Sequence, residues 1–127
     1  MPQAVVTRKE RILVVDDEES MRELLLALFR KNGYQTAAAR NAAEALVLAA
    51  EMDPTVAVID GHIPGGGGVD LIRKFRGSFP EIRTVLMTAY DSPELLEAAS
   101  PAGAGAWVRK PFDLLELLDK VESLCRI

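Results

Sequence analysis

The sequence predicts an α/β fold in which a five-stranded parallel sheet is covered by helices on both faces. Short apolar runs rich in β-branched residues alternate along the chain with segments of helical periodicity, which is the pattern of repeated βα units. The runs ILVV, VAVI and VLM contain no polar residue. Strands that are buried on both faces have this continuous apolar character, whereas strands with one solvated face alternate apolar and polar residues.

The first strand and the first helix have clear local signals. The strand is predicted over residues 12–15, and the helix is predicted over residues 18–32, where apolar residues recur at helical spacing. Gly33 suits the end of this helix. The residues predicted to share its inward face are Met21, Leu24, Leu25, Leu28 and Phe29.

The second βα unit follows directly. A strand is predicted over residues 34–39, and the helix after it is predicted to run to about Met52. Asn41 is the expected N-cap, and Glu44 three residues later fits a variant of the capping box. An Asp-Pro pair after Met52 breaks the helix, because the residue before a proline disfavours the helical conformation.

The remaining three units are bounded mainly by proline and glycine. Strands are predicted over residues 55–59, 84–87 and 105–108, and helices over residues 69–76, 93–100 and 111–124. Ser92 is the expected N-cap of the fourth helix, with proline at its first position. Pro101 and Gly103 are expected to end that helix, and Pro111 is expected to open the last one.

Length and composition indicate a single globular domain. The 127 residues carry a net charge of −4, which argues against a nucleic-acid surface because such surfaces are basic. The single cysteine, Cys125, cannot form an internal disulfide, which favours a reducing compartment. No apolar run reaches the ~18 residues needed to span a bilayer, and the first ten residues lack the apolar core of a signal peptide. We predict a flexible lead-in over residues 1–10, a domain over residues 11–127, and a cytoplasmic location without membrane contact.

Chemically matched side chains follow four of the five predicted strands. Asp16 and Asp17 follow the first strand, Asp60 the third, Thr88 the fourth and Lys110 the fifth. The carboxyl ends of parallel strands lie at one edge of the sheet, where ligands bind in open α/β folds. We therefore expect three carboxylates, one hydroxyl and one ammonium group to share a single pocket.

This set of side chains favours a magnesium site that supports phosphoryl transfer. Carboxylates within ~5 Å of one another repel by roughly 3 kcal/mol per pair at an effective dielectric constant near 20, so a cation is needed to offset the repulsion. Mg²⁺ fits because it prefers oxygen ligands and takes few carboxylates. The cation and Lys110 can neutralise the oxygens of a transferred phosphoryl group. Asp60 can carry that group as an acyl phosphate, and the Thr88 hydroxyl can turn toward one of its oxygens.

The loop after Asp60 has the residues that such a site requires. In DGHIPGGGG the backbone must curl so that a main-chain carbonyl, which we assign to His62, can bind the cation. Pro64 fixes one bend, and the glycines permit positive φ values. The glycine run is not the nucleotide-binding P-loop, because the pattern G-x-x-x-x-G-K-[ST] is absent.

Between residues 11 and 124 the chain resembles the response-regulator receiver domains of two-component signalling. The stretch ILVVDDE matches the acidic pair of that family with Asp16 and Asp17. The stretch VIDGHIPGGGG fits the family motif D-x-x-[MI]-P-x-x-x-G and places Asp60 as the phosphoacceptor. The resemblance implies a flavodoxin-like (βα)5 fold with strand order 2-1-3-4-5 and a receiver domain over residues 11–127.

Three further residues match the family's switch and lysine positions. Thr88 in LMTAYD matches the switch hydroxyl, Lys110 in KPFD matches the family's lysine, and Trp107, three residues before it, matches the switch aromatic. The resemblance implies that a sensor histidine kinase or a phosphotransfer protein donates a phosphoryl group to the aspartate in the presence of Mg²⁺. The receiver would assist its own phosphorylation and dephosphorylation, and would therefore be a signalling phosphoacceptor and not an enzyme.

The resemblance also implies how the signal would leave the domain. Phosphorylation would turn Thr88 inward, and Trp107 would follow. This movement would reshape the face made by the fourth helix, the fifth strand and the fifth helix. That face would control an output domain or a downstream protein, or would form a homodimer, and the domain itself would not bind nucleic acid.

Other functions remain open from the sequence. An aspartyl-nucleophile, Mg²⁺-dependent phosphatase uses the same groups, but its motif D-x-D-x-[TV] is missing from VVDDEES. A flavin-binding module on the same fold needs a phosphate loop, and the acidic pocket would repel the flavin phosphate. The receiver either works alone or is the N-terminal part of a longer regulator. The apolar last helix is a candidate surface for a dimer or an output domain.

Overall fold

A computed structural model describes residues 8–89 and 93–126. Strands and helices alternate along the described chain: β1 Arg11–Val15, α1 Glu19–Lys31, β2 Gln35–Ala39, α2 Ala42–Met52, β3 Val56–Asp60, α3 Gly68–Ser78, β4 Arg83–Thr88, α4 Pro93–Ala102, β5 Ala106–Arg109 and α5 Leu114–Cys125. The prediction of five βα units is confirmed. Every strand predicted from the sequence is present, and each of its ends differs from the predicted one by at most one residue.

The five strands form one parallel sheet in the order β2-β1-β3-β4-β5. β1 lies between β2 and β3, with Val15 opposite Ala39 on one side and Ile59 on the other. β4 joins β3 to β5. The predicted fold class and strand order are therefore confirmed. Because all strands run in the same direction, the residues that follow them lie at one edge of the sheet.

Each face of the sheet carries its own apolar core. Successive residues of a strand point to opposite faces, so Leu13 and Val15 pack on one side while Ile12 and Val14 pack on the other. The first core is completed by α2, α3 and α4, and the second by α1 and α5. Both faces are thus covered by helices, which explains why the strands are unbroken apolar runs.

Glycine and asparagine set the predicted boundaries of the first two helices. Gly33 follows α1 with a φ of 93°, a conformation that glycine adopts without steric cost. The Asn41 side chain caps α2 by accepting a hydrogen bond from the Glu44 N–H at 2.8 Å. The Glu44 carboxylate accepts a hydrogen bond from the Arg40 N–H at 3.0 Å, so the reciprocal bond of the capping box reaches one residue further back than expected.

α1 buries a narrower face than the sequence pattern predicts. Leu25 and Phe29 are fully buried, and Met21 and Leu28 are partly buried against the same core. Leu24, which was predicted to face inward, is 46% exposed and lines a groove beside the start of α5. The helix packs on the sheet through one narrow stripe, so a residue at the edge of the apolar arc is left at the surface.

The prediction that Pro111 opens α5 is wrong. The helix begins three residues later, at Leu114. Its N-cap is Asp113, whose carboxylate accepts a hydrogen bond from the Leu115 N–H at 2.8 Å. An aspartate cap satisfies a main-chain donor that proline cannot satisfy, and its charge is favourable at the positive end of the helix dipole.

The end of α4 also differs from the prediction. Pro101 lies inside the last turn, and the helix continues to Ala102. The Gly103 N–H donates to the Ala99 carbonyl at 3.1 Å, and Gly103 has a φ of 108°. The glycine rather than the proline therefore ends this helix. The predicted N-cap of α4, Ser92, lies outside the described residues.

The chain before β1 is held against the domain from Arg8 onward, and residues 1–7 lie outside the described part. The Arg8 N–H donates to the Gly33 carbonyl at 3.0 Å. Its guanidinium forms an ion pair with Glu122 at 3.3 Å and lies 5.0 Å from the ring centre of Tyr34. Among residues 8–89 and 93–126, no helix combines the length and the apolar character needed to cross a membrane.

Candidate functional site

The predicted site residues meet at the carboxyl edge of the sheet. Asp16 directly follows β1, Asp60 ends β3, Thr88 ends β4 and Lys110 directly follows β5. Asp16 and Thr88 are fully buried, and Asp60 is only 6% exposed. Because β1, β3, β4 and β5 are consecutive neighbours in the sheet, these side chains are close in space although Asp16 and Lys110 are 94 positions apart.

Three carboxylates and one ammonium group form the centre of the site. One oxygen atom from each of Asp16, Asp17 and Asp60 lies within 4.8 Å of the other two. Lys110 Nζ lies 3.3 Å from Asp16 Oδ2 and 3.4 Å from Asp60 Oδ2. The ammonium group therefore bridges two buried acids. Asp16 Oδ1 accepts a hydrogen bond from the Glu18 N–H at 2.9 Å, which fixes the turn between β1 and α1.

The carboxyl of Asp60 is in an environment that disfavours its charge. Burial raises the pKa of Asp60, and the neighbouring Asp16 carboxylate raises it further. The Lys110 ammonium and the His62 N–H, which donates to Asp60 Oδ1 at 3.3 Å, lower the pKa without reversing the shift. The repulsion within the cluster is thus only partly offset by the lysine, and a second cation would stabilise the ionised form.

The loop after Asp60 packs closely on the strand end. The Gly61 N–H donates to the Met87 carbonyl at 2.7 Å, and the Gly68 N–H donates to the Gly61 carbonyl at 3.0 Å. A Cβ atom at Gly68 would lie 2.9 Å from Gly61 Cα and would overlap the Asp60 carbonyl oxygen. The three glycines at 65–67 have φ values of 96°, 113° and 89°. The glycine run therefore permits the positive φ values of the turn. It also permits the close approach of Gly68 to the main chain of Asp60 and Gly61.

The two predicted switch residues occupy different environments. The Thr88 hydroxyl donates to the Ala89 carbonyl at 3.4 Å, and the Thr88 carbonyl accepts a hydrogen bond from the Lys110 N–H at 2.7 Å. Trp107, on β5, is 45% exposed, and the Arg109 guanidinium lies 5.8 Å from its ring centre. Thr88 is thus part of the buried site, whereas Trp107 presents nearly half of its surface to solvent.

A family model described as the response regulator receiver domain matches residues 12–122, which extend from β1 into α5. The chain is a response regulator receiver domain. It therefore belongs to the proteins of two-component signal transduction, and the family resemblance stated from the sequence is confirmed. The match spans all five strands and includes every residue of the carboxylate cluster.

The alignment covers nearly the full length of some relatives of this receiver domain and only half of others. Sporulation initiation phosphotransferase F of Bacillus subtilis is 35% identical over 114 residues, which cover 90% of this chain and 92% of the relative. Response regulator MprA of Mycobacterium tuberculosis is 37% identical over 116 residues, but the chain spans only 50% of its length. A crystal structure of a CheY-like receiver domain protein from Methanospirillum hungatei has a TM-score of 0.87 at 27% identity, covering 92% of this chain and 94% of that one.

The donor set of the receiver's cluster fits a small, hard divalent cation. Its side-chain donors are all carboxylate oxygens, the ligands that Mg²⁺ prefers. Asp16 and Asp60 are buried, whereas Asp17 is exposed, so a bound cation could keep part of its hydration shell as Mg²⁺ requires. The main chain of His62, predicted to offer a carbonyl ligand, adjoins the cluster through its N–H bond to Asp60.

One residue of the receiver's site was not predicted from the sequence. Arg22, in the first turns of α1, donates a hydrogen bond from Nη1 to the Asp16 carbonyl at 2.8 Å. Its sequence position carries a signal for this contact, because a long side chain one turn into a helix can reach back to the end of the preceding strand. The periodic pattern of α1 marks Arg22 only as a polar residue between apolar ones.

Asp60→Asn is expected to stabilise the receiver at neutral pH when EDTA removes divalent cations. A carboxyl whose pKa is raised by folding loses stability as the pH rises from its unfolded pKa, about 3.9 for aspartate, toward its folded pKa. The advantage of the variant should therefore be absent in acid, grow through that window and stay constant above it. We expect a Tm about 3 °C higher than wild type at neutral pH, measured by circular dichroism.

Asp119→Asn is the matched control for this measurement, because Asp119 is an exposed carboxylate on α5. It should show no gain in Tm over wild type at neutral pH, because it removes a charge that is exposed to solvent. A wild type that is as stable as Asp60→Asn at neutral pH would contradict the expected charge penalty.

Proposed function

We propose that Asp60 accepts a phosphoryl group from the phosphohistidine of a sensor histidine kinase or a phosphotransfer protein, with Mg²⁺ bound at Asp16, Asp17, Asp60 and the His62 carbonyl. The observation that carries the proposal is the environment of Asp60. Its carboxylate shares one cluster with two other acids and lies 3.4 Å from Lys110 Nζ. A carboxylate nucleophile, a cation site and a fixed ammonium group are the parts that phosphoryl transfer needs.

Each residue of the site has its own role in the proposed transfer. An oxygen of Asp60 attacks phosphorus, the new O–P bond forms as the P–N bond to the donor imidazole breaks, and the electron pair of that bond stays on nitrogen. When bound, Mg²⁺ supplies positive charge against the phosphoryl oxygens. Lys110, already within 3.4 Å of the nucleophile, would exchange one anionic contact for a phosphoryl oxygen. Thr88 would donate its hydroxyl to another phosphoryl oxygen.

Dephosphorylation uses the same groups in this scheme. Water attacks phosphorus, the bond between phosphorus and the Asp60 oxygen breaks, the phosphoryl group leaves as inorganic phosphate, and the carboxylate is restored. The receiver, residues 11–127, therefore assists both steps on its own side chain and acts as a signalling phosphoacceptor. We place it in the cytoplasm, where Cys125 would stay reduced.

The face formed by α4, β5 and α5 would report the phosphorylated state. Thr88 is linked to the start of the β5–α5 loop by its main-chain bond to Lys110, so movement at the phosphoryl group can reach that loop. Trp107 is 45% exposed and Leu115 on α5 is 65% exposed. Once Thr88 and Trp107 have turned inward, the reshaped face, which keeps Leu115 at its surface, would contact an output domain, a downstream protein or a second copy of the receiver.

The test of this function is the intact mass of the protein after incubation with acetyl phosphate and MgCl2. We expect a gain of about 80 Da, the mass of one phosphoryl group. The gain should disappear with EDTA and in Asp60→Asn, and persist in Asp119→Asn. A gain that persists in Asp60→Asn would refute the assignment of the phosphoacceptor. No gain from acetyl phosphate or from a phosphorylated histidine kinase would refute the function itself.

A further inference from the structure

We infer that Arg22 is a positioning residue that holds Asp17 in the carboxylate cluster and thereby sets the affinity of the site for a divalent cation. The inference rests on the proposed function, because it assigns a role to Arg22 in the same site. Arg22 itself contributes a positive charge and no cation ligand, so its role must be exerted through the main chain that it contacts.

Three hydrogen bonds fix the position of Asp16, the residue before Asp17. The Asp16 N–H donates to the Ala39 carbonyl at 3.1 Å, and Asp16 Oδ1 accepts from the Glu18 N–H at 2.9 Å. The Asp16 carbonyl accepts from Arg22 Nη1 at 2.8 Å. This last bond fixes the plane of the peptide that joins Asp16 to Asp17, because the carbonyl oxygen lies in that plane.

Asp17 depends on that peptide for its direction. Its side chain is exposed, and its carboxylate has no hydrogen bond or ion pair with any residue in the ranges 8–89 and 93–126. A carboxylate oxygen of Asp17 nevertheless lies within 4.8 Å of oxygens from Asp16 and Asp60, where repulsion favours its departure. Among the described residues, the local main chain keeps it there, and Arg22 is the side chain that hydrogen-bonds to the carbonyl of the peptide before Asp17.

Arg22 is suited to this role because its own position is fixed. It is half-buried, and its N–H donates to the Glu18 carbonyl at 3.1 Å in the first turn of α1. The pKa of Glu44 on α2 is lowered mainly by the hydrogen bond from Arg40, and the charge of Arg22 also contributes. The guanidinium lies at the carboxyl end of β1, with its Nη1 donor directed to the Asp16 carbonyl.

Positioning and simple electrostatics predict opposite effects of removing Arg22. A positive charge beside three carboxylates repels a divalent cation, so its removal alone would tighten binding. Loss of the bond to the Asp16 carbonyl would release Asp17 and weaken binding. Residues that orient the ligands of a metal site typically contribute 10–100-fold to metal affinity, which exceeds the expected effect of one screened charge.

The experiment is a titration of the folded chain with MgCl2, followed by amide chemical shifts, for wild type, Arg22→Lys and Arg22→Met. We expect Arg22→Met to bind Mg²⁺ about 10-fold more weakly than wild type. Arg22→Lys keeps the charge and one donor, and should bind more tightly than Arg22→Met. Arg30→Met is the matched control, because Arg30 is an exposed arginine in the last turn of α1, and it should leave the affinity unchanged.

The outcomes separate the alternatives. If Arg22→Met binds Mg²⁺ as tightly as wild type or more tightly, the inference is overturned, whether or not its Tm in EDTA is lower. If Arg22→Met does not fold, Arg22→Ala, which also lacks the charge and the donor and has a high helix propensity, is compared with wild type in the same way. If the wild type does not bind Mg²⁺, the metal site of the proposed function is overturned, and the inference about Arg22 fails with it. This outcome is recognised from the wild type alone, so it is distinguishable from a failure of the inference only.

Discussion

Lys110→Met is expected to slow the phosphorylation of Asp60 by acetyl phosphate about 10²–10³-fold at saturating MgCl2. The ammonium group lies 3.3 Å from Asp16 Oδ2 and 3.4 Å from Asp60 Oδ2. In the proposed transfer it would stabilise the negative charge that develops on the phosphoryl oxygens. Methionine keeps the length and apolar stem of lysine but provides no charge. The rate is measured as the gain of phosphoryl mass over time.

The same variant should bind Mg²⁺ more tightly than wild type. The lysine and the divalent cation both neutralise the carboxylates, so removing one leaves more negative charge for the other. A slower transfer combined with tighter cation binding would separate the role of Lys110 in the chemistry from any damage to the metal site. Lys74→Met, which breaks an exposed ion pair with Asp70 on α3, should change neither quantity. An unchanged transfer rate in Lys110→Met would remove the lysine from the mechanism.

Gly68→Ala is expected to reduce the free energy of unfolding by about 3 kcal/mol and to weaken Mg²⁺ binding. The new Cβ would overlap the Asp60 carbonyl and lie 2.9 Å from Gly61 Cα, and both are main-chain atoms that cannot move aside as a flexible side chain can. Relief of the overlap requires the end of β3 to move away from α3. Because Asp60 is the last residue of β3, its carboxylate would move with it.

Gly77→Ala provides a control in the same helix. A Cβ at Gly77 would meet no atom within 4 Å, and alanine is favoured over glycine inside a helix by up to about 1 kcal/mol. We therefore expect Gly77→Ala to be slightly more stable than wild type and to bind Mg²⁺ equally well. Urea unfolding and MgCl2 titration of both variants give the comparison. A Gly68→Ala variant with wild-type stability would show that the loop can yield without displacing the strand.

The fold and most of the site were predictable because their signals are local in the sequence. An apolar run that ends in an acid marks both a buried strand and the residue at its carboxyl end, as in the cases of Asp16 and Asp60. Once the strands are taken as parallel, the convergence of these residues with Thr88 and Lys110 follows from the topology. The proximity of Asp17 to the other acids follows from its place beside Asp16.

The features that sequence reasoning missed depend on competition between neighbouring groups. Pro111 and Asp113 are both plausible helix starters, and only the folded loop shows that the aspartate carboxylate reaches a main-chain donor. The exposure of Leu24 depends on how far α1 is rotated against the sheet, which periodicity does not specify. The bond from Arg22 to the Asp16 carbonyl depends on one rotamer choice of a long side chain.

Asp16 and Lys110 are 94 positions apart, so the acids of the site are synthesised well before the lysine. A nascent polypeptide that has released only β1 to β3 already carries all three acids but lacks the ammonium group that balances them. Pairing of β5 with β4, which brings Lys110 to the edge of the sheet, is therefore the event that completes the centre. If the proposed function is right, a ribosome-bound or truncated chain that lacks β5 should accept phosphoryl groups far more slowly than the complete domain.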